Sequence, residues 1–230
     1  MAYRALVLFD IDGTLTRRTG PHHRDALVHG IRQATGLHTT TDGIPVQGML
    51  DPAILMLMMR RAGAPPALIR QAMPEIQRAA ERYYLRTCPP LAAKHCPGVE
   101  ELLERLSRRG YLLALATGNL TRIGWRKLER AGLRQYFRYG AFGDMAATRG
   151  LLVKWAIREA RRAHSLPPRA PVVLVGDATS DVIAARENRI PIIAVRTGIT
   201  PAEDLAALAP DYLLRTLRDF RLRMVDGHPS

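Results

Sequence analysis

The sequence predicts an α/β protein, a parallel sheet covered by helices, with a helical segment inserted near its start. Three observations predict it. Short apolar runs alternate with amphipathic stretches through most of the chain, which is the pattern of βαβ units. Those runs are apolar throughout instead of every second residue, as strands covered on both faces are. Residues 17 to 90 break the alternation, holding several helical stretches and no good strand.

The first apolar run, "ALVLF" at 5–9, is too short for a helix and reads as a buried strand. The inserted stretches follow: "HHRDALVHGIRQATG", "DPAILMLMMRRAG" and "PPALIRQAMPEIQRAAERYYLRT". Asp51-Pro52 reads as an N-cap with proline at the first helical position. The run "ILMLMM" is too apolar for a free surface helix, so it is expected to be covered. "TCPPLAAKHCPG" (87–98) is proline-rich and reads as the return linker. Beyond it, helices are expected at 99–109, 121–131, 149–164 and 181–188. Strands are expected within 111–119, 170–181 and 190–198, with weaker ones at 139–142 and 212–214. The division that follows is a core of residues 1–16 plus 91–230, and a helical insert of residues 17–90.

Bulk composition narrows the function. With 230 residues and 47% apolar content, the chain can bury one sizeable core plus a small accessory unit. No apolar run approaches the ~18 residues of a membrane span, and the start lacks a signal-peptide pattern. Cys88 and Cys96 make neither a disulfide framework nor a Cys-x-x-Cys metal motif, and fit a reducing cytoplasm. The net charge is +13, carried almost wholly by arginine, since only Lys94, Lys127 and Lys154 are lysine. The arginines are spread over several helices and aromatics make up 6% of the chain, so no basic stripe alternates with stacking residues. This argues for a solvated surface that attracts small phosphorylated metabolites and against nucleic acid. Neither a monomer nor a homodimer is favoured.

Chemistry gathers where three predicted strands end in polar residues: Asp10 and Asp12, Thr117-Gly118-Asn119, and Gly176-Asp177 with Asp181. In open parallel sheets ligands bind beyond the carboxyl ends of the strands. Asp10 and Asp12 alternate, so both carboxylates can face one spot, where their mutual repulsion calls for a cation. Asp10 could attack phosphorus and form an acyl-phosphate, while Asp12 protonates the leaving oxygen and then deprotonates water. Gly13 and Thr14 offer turn N–H and hydroxyl donors. Thr117 and the amides of Gly118 and Asn119 could hold phosphoryl oxygens. Asp177 with Asp10 would complete a hard oxygen site for Mg²⁺.

"DIDGT", "LATGN" and "VGDATSD" resemble motifs I, II and IV of the haloacid dehalogenase superfamily, in order, over about residues 5–200. The resemblance implies a Rossmann-like core with a helical C1 cap, and a Mg²⁺-dependent phosphatase of the phosphoglycolate phosphatase-like branch. It makes Asp10 the nucleophile and Asp12 the general acid/base, with the Asp12 backbone carbonyl also facing the metal. Thr117 would bind the phosphoryl group, Asp177 would ligate Mg²⁺, and Asp181 would support the metal site. Family dehalogenases lack an Asp at position 12, so the resemblance is to phosphatases and phosphomutases. A phosphomutase and a catalytically weak phosphate-binding protein are the rival readings.

Motif III, which normally supplies a lysine, departs from the pattern. Arg149 stands at that place, opening a helix; it would stay charged and could grip phosphate bidentately. Lys127 is the rival, but it falls about two turns into its helix and is expected to point away as part of a solvated face. Lys154 lies deeper in its own helix. In the insert, Gln47 and Met49 of "VQGMLDP" are candidate substrate contacts, with loop packing as the alternative. His22 and His23 read as surface residues, and hinges are expected near Thr16 and Pro89-Pro90.

Overall fold

A computed structural model describes residues 3–17 and 20–227. In chain order its elements are β1 (Leu6–Phe9), α1 (His22–Thr35), α2 (Asp51–Arg61), α3 (Pro66–Thr87), α4 (Val99–Arg108), β2 (Leu112–Ala116), α5 (Thr121–Ala131) and β3 (Tyr139–Ala141). They continue with α6 (Arg149–Ala163), β4 (Val172–Gly176), α7 (Thr179–Glu187), β5 (Ile192–Val195), α8 (Ala202–Ala207), β6 (Tyr212–Leu214) and α9 (Arg223–Asp226). The strand–helix alternation thus forms as the sequence predicts, and the short α8 and α9 come in addition. Among the described residues no helix is long and apolar enough to cross a membrane.

The six strands form one sheet in the order β3-β2-β1-β4-β5-β6, every neighbouring pair parallel. Because side chains alternate along a strand, β1 divides between two cores. Val7 and Phe9 join the apolar cluster that takes in α4 and α5, while Leu6 and Leu8 face α6 and α7. Register decides where the polar ends fall. Phe9 lies beside Leu115 of β2 and Val175 of β4, so Asp10, Thr117 and Asp177 emerge together at one edge of the sheet.

Helices α1, α2 and α3 fill the chain between β1 and α4. The apolar face of α2 is covered, with Leu55, Met58 and Met59 buried. The N-cap of α2 is Leu50, and Asp51 is the first helical residue. Its carboxylate does not cap its own helix; Oδ2 accepts the backbone N–H of Leu120 at 2.8 Å, across the gap to the core. Helix α3 lies along α5, where Glu81 accepts the Arg122 N–H at 2.9 Å and Arg126 donates to the Leu85 carbonyl. The segments entering and leaving this helical stretch run side by side. Arg17 N–H donates to the Lys94 carbonyl at 2.7 Å and Cys96 N–H to the Leu15 carbonyl at 3.0 Å, with Thr16 bridged antiparallel to His95.

Candidate active site

The sheet edge and the 41–51 loop enclose a cleft of about 180 Å³. Its floor is a carboxylate cluster: one oxygen from each of Asp10, Asp177 and Asp181 lies within 4.8 Å of the others, and all three residues are buried. Burial first, and then the charges of Asp10 and Asp181, push the Asp177 carboxyl well above the usual carboxylate range. Burial likewise lifts Asp181 to about 6, although Arg149 opposes it. Asp181 is anchored by Oδ2, which accepts the Ala178 N–H at 3.0 Å at the start of α7. Asp10 Oδ1 is buried and makes no hydrogen bond. A dense group of hard oxygens with an unbonded buried one among them is a donor set suited to a divalent cation.

The cluster is shaped by glycines that admit no side chain. Gly13 has φ +90°, and a Cβ there would fall 2.3 Å from Asp177 Oδ2; at Gly198 a Cβ would meet the same carboxylate. Gly13 therefore serves by shape. Its N–H is already given to the Thr16 carbonyl at 2.7 Å, which corrects the expectation that it offers a phosphate donor. Thr14 is corrected in the same way: its buried hydroxyl donates to Asp177 Oδ1 at 2.9 Å, behind the cleft.

Both basic candidates reach the site. The Arg149 guanidinium, 7% exposed, sits 2.6 Å from Asp181 Oδ1 and 3.4 Å from Asp10 Oδ1. Burial opposes its charge, but Asp181, Asp10 and Asp177 together hold it protonated. Lys127 overturns the expectation of a solvated helix face. It has no exposed surface; Nζ lies 2.6 Å from Asp12 Oδ2, 2.7 Å from Asn119 Oδ1 and 3.2 Å from His23 Nδ1. Six residues into α5 is about 9 Å along the axis. Helical side chains lean toward the N-terminus, however, and the lysine stem covers most of that distance. Lys127 also shares the buried face of α5 with Ile123, Gly124 and Ala131, so a lysine on an apolar stripe was the signal that could have found it.

Asp12 is the most open of the acids, with 39% of its side chain exposed. Desolvation raises its pKa, but the charges of Lys127 and His23 and the hydrogen bonds from Lys127 and Asn119 outweigh it and hold the carboxyl below the usual range. Asn119 Nδ2 donates to both Asp12 Oδ2 (2.9 Å) and Thr117 Oγ1 (2.7 Å), so its side chain positions two other site residues. The insert supplies more contacts than expected. His23 Nε2 is 2.9 Å from Asp51 Oδ2, placing His23 inside the cleft and not on the surface; His22 does not line it. Gln47 donates to Asp177 Oδ2 at 3.0 Å, so it touches the carboxylate cluster itself. Met49 lines the cleft, and its carbonyl oxygen would meet a Cβ on Gly118 at 2.3 Å.

A family model described as haloacid dehalogenase-like hydrolase matches residues 5–188. The chain is 30% identical to a phosphoglycolate phosphatase of Agrobacterium fabrum, over 91% of this chain and 87% of that protein. It is 31% identical to the phosphoglycolate phosphatase of Synechococcus elongatus, over 93% of each. Among solved structures, CbbY from Rhodobacter sphaeroides in complex with phosphate shares the fold, with a TM-score of 0.71 at 24% identity, covering 97% of this chain and 99% of that one.

Proposed function

Because this chain belongs to the haloacid dehalogenase-like hydrolases, we propose that it hydrolyses a small phosphomonoester through an aspartyl-phosphate on Asp10. The observation that carries the reading is Asp10 Oδ1, a buried carboxylate oxygen without a hydrogen bond, at the floor of a cleft that also holds Asp12 and Thr117. The relatives named phosphoglycolate phosphatase and the 180 Å³ cleft both favour a compact phosphorylated metabolite. Residues 17–90 act as the cap over a core of residues 1–16 plus 91–230.

In the first step an Asp10 oxygen bonds to phosphorus while the bond from phosphorus to the leaving oxygen breaks, and that oxygen takes a proton from Asp12. A phosphate dianion beside Asp12 opposes the influence of Lys127 and raises the proton affinity of the carboxyl, which suits Asp12 to donate. In the second step Asp12, now a carboxylate, takes a proton from water. The water oxygen bonds to phosphorus, the acyl-phosphate bond breaks, and Asp10 and inorganic phosphate are released. Thr117 and the Gly118 and Asn119 amides hold the phosphoryl oxygens, and Arg149 offsets their charge. Lys127 and Asn119 hold Asp12 in place, while Gln47 and Met49 bring the cap loop to the reacting centre. Asp10, Asp177 and Asp181 would hold Mg²⁺, with the Asp12 backbone carbonyl beside them. When bound, Mg²⁺ supplies the positive charge that lets an anionic nucleophile approach an anionic substrate.

The test is phosphate release from a panel of small phosphomonoesters, in Mg²⁺ and in EDTA, with Asp10→Asn as control. Release that needs Mg²⁺ and falls below about a hundredth in the variant is expected. Bisphosphate-dependent isomerisation without phosphate release would overturn hydrolysis in favour of a mutase.

A further inference from the structure

At the opposite edge of the sheet lies a second and larger cavity, of about 870 Å³, bounded by the chain entering β4, β5 and β6 and by α6 and α7. Five cations line it: Lys154, Arg158 and Arg161 from α6, and Arg186 and Arg189 from the end of α7 and the turn after it. The α6 residues follow the spacing i, i+4, i+7, so they form one stripe on one helix face. Arg186 and Arg189 stand three apart.

Among the described residues these charges are mostly unbalanced. On the same helix Arg162 pairs with Glu159, but no ion pair among the described residues involves Lys154, Arg158, Arg161, Arg186 or Arg189. Arg186 donates only to the carbonyls of Leu208 and Ala209. The one acid in the lining, Asp211, accepts the Ile192 N–H through Oδ2 at 2.9 Å. Like charges at helical spacings of three and four repel and destabilise the helix that carries them. A concave wall that sets five cations against one carboxylate is matched to an external anion with several charges.

We propose that this cavity is a second anion site, which binds a short polyphosphate chain away from the catalytic cleft. Aromatic side chains are absent from the lining, so no ring there offers a base a stacking platform, and the chemistry that five cations favour is a row of phosphates. The cations lie outside the hydrolytic machinery, and the site stands whether or not the chain is a phosphatase.

The test is calorimetric titration of the full chain with sodium tripolyphosphate, without Mg²⁺, at low and at moderate salt. Three proteins are compared: wild type, Arg158→Glu/Arg161→Glu, and the cleft variant Arg149→Ala. Both groove positions are exposed, so the double variant is expected to fold, which circular dichroism checks; Lys154→Gln/Arg158→Gln is the milder alternative. One-to-one binding that persists in Arg149→Ala, weakens at least about tenfold in the groove variants and falls with salt supports the proposal. Binding lost in Arg149→Ala but kept in the groove variants places the anion in the cleft and overturns it. So does the absence of binding in wild type. Tighter binding of single-stranded oligonucleotides, growing with their length, would overturn it in favour of a nucleic-acid surface.

Discussion

Replacing Lys127 by methionine removes an ammonium while keeping most of its volume, and the structure sets the size of the effect. Two consequences oppose one another. The buried cation no longer has to be desolvated, which relieves several kcal/mol. Its partners lose it, and truncating one member of a buried ion pair commonly costs about 3–5 kcal/mol net. Here Asp12 exposes 39% of its side chain, so water replaces part of what that carboxylate loses. Asn119 is 4% exposed, and leaving its amide oxygen unbonded costs about 1–3 kcal/mol. The result settles at about 2 kcal/mol of lost stability. For a chain of this length each kcal/mol is worth about 2–4 °C, so the melting midpoint should fall by about 4–8 °C. In an Asp12→Asn background the same change should cost about 1 kcal/mol less, since the two residues act as a pair. Thermal unfolding of the four proteins of this cycle, followed by circular dichroism, is the assay. A midpoint within about 1 °C of wild type would return Lys127 to a solvated helix face. Additive costs would show that its partner is not Asp12.

Three further outcomes are expected. Gly118→Ala puts a Cβ 2.3 Å from the Met49 carbonyl oxygen and must displace the 41–51 loop, so kcat/KM should fall about tenfold to a hundredfold, measured by steady-state phosphate release. Arg149→Ala should lower kcat by about 10²–10³, as loss of a strong charge-stabilising donor does; an effect under about threefold in single-turnover kinetics would remove Arg149 from the reaction. Metal and pH should be coupled through the carboxylate cluster. Asp181, lifted to about 6, and Asp177, lifted well above its ordinary range, both lie above the unfolded carboxyl value of about 3.9. The contribution of Asp181 to stability is therefore fully present below about pH 4 and is lost as pH rises through about 6, and that of Asp177 is lost as pH rises through its own raised value. Saturating Mg²⁺, worth about 2.7 kcal/mol at a hundredfold excess over its Kd, should raise the melting midpoint more at pH 7.5 than at pH 5. A rise that shrinks with pH would contradict the assignment of these acids to the metal.

How much of this was legible follows from what each residue depends on. Asp10, Thr117 and Asp177 terminate apolar runs, and parallel register alone brings such endings to one edge, so their meeting is readable from a single chain. Helix 121–131 was legible to the residue for the same reason, an apolar stripe between polar flanks. Lys127 was not, because its reach depends on the lean of a side chain toward a helix start that itself abuts the sheet edge. His23 and Asp51 were not, because their partners, Lys127 and the Leu120 amide, lie over a hundred and about seventy residues away and are set by how the insert sits on the core. Thr14 and Gly13 misled in the other direction. Donors in a turn look free in sequence, yet here neighbouring acceptors already occupy the Gly13 amide and the Thr14 hydroxyl.

The hydrogen-bonded crossing at Arg17–Lys94 and Leu15–Cys96 has a consequence for how such a chain can be rebuilt. An insert that departs and returns at one point is a detour, and a short turn between the two connectors would restore an unbroken path from β1 to α4. Exchange of this segment for another is thus limited less by the joint than by the surface it uncovers. Ile123 and Leu128 of α5 share an apolar cluster with Tyr84, Ile54 and Leu55 of the insert, and a substitute must cover the same face. A grafted segment that meets this one demand could alter which molecules reach the sheet edge while leaving the carboxylate cluster of Asp10, Asp177 and Asp181 where it is.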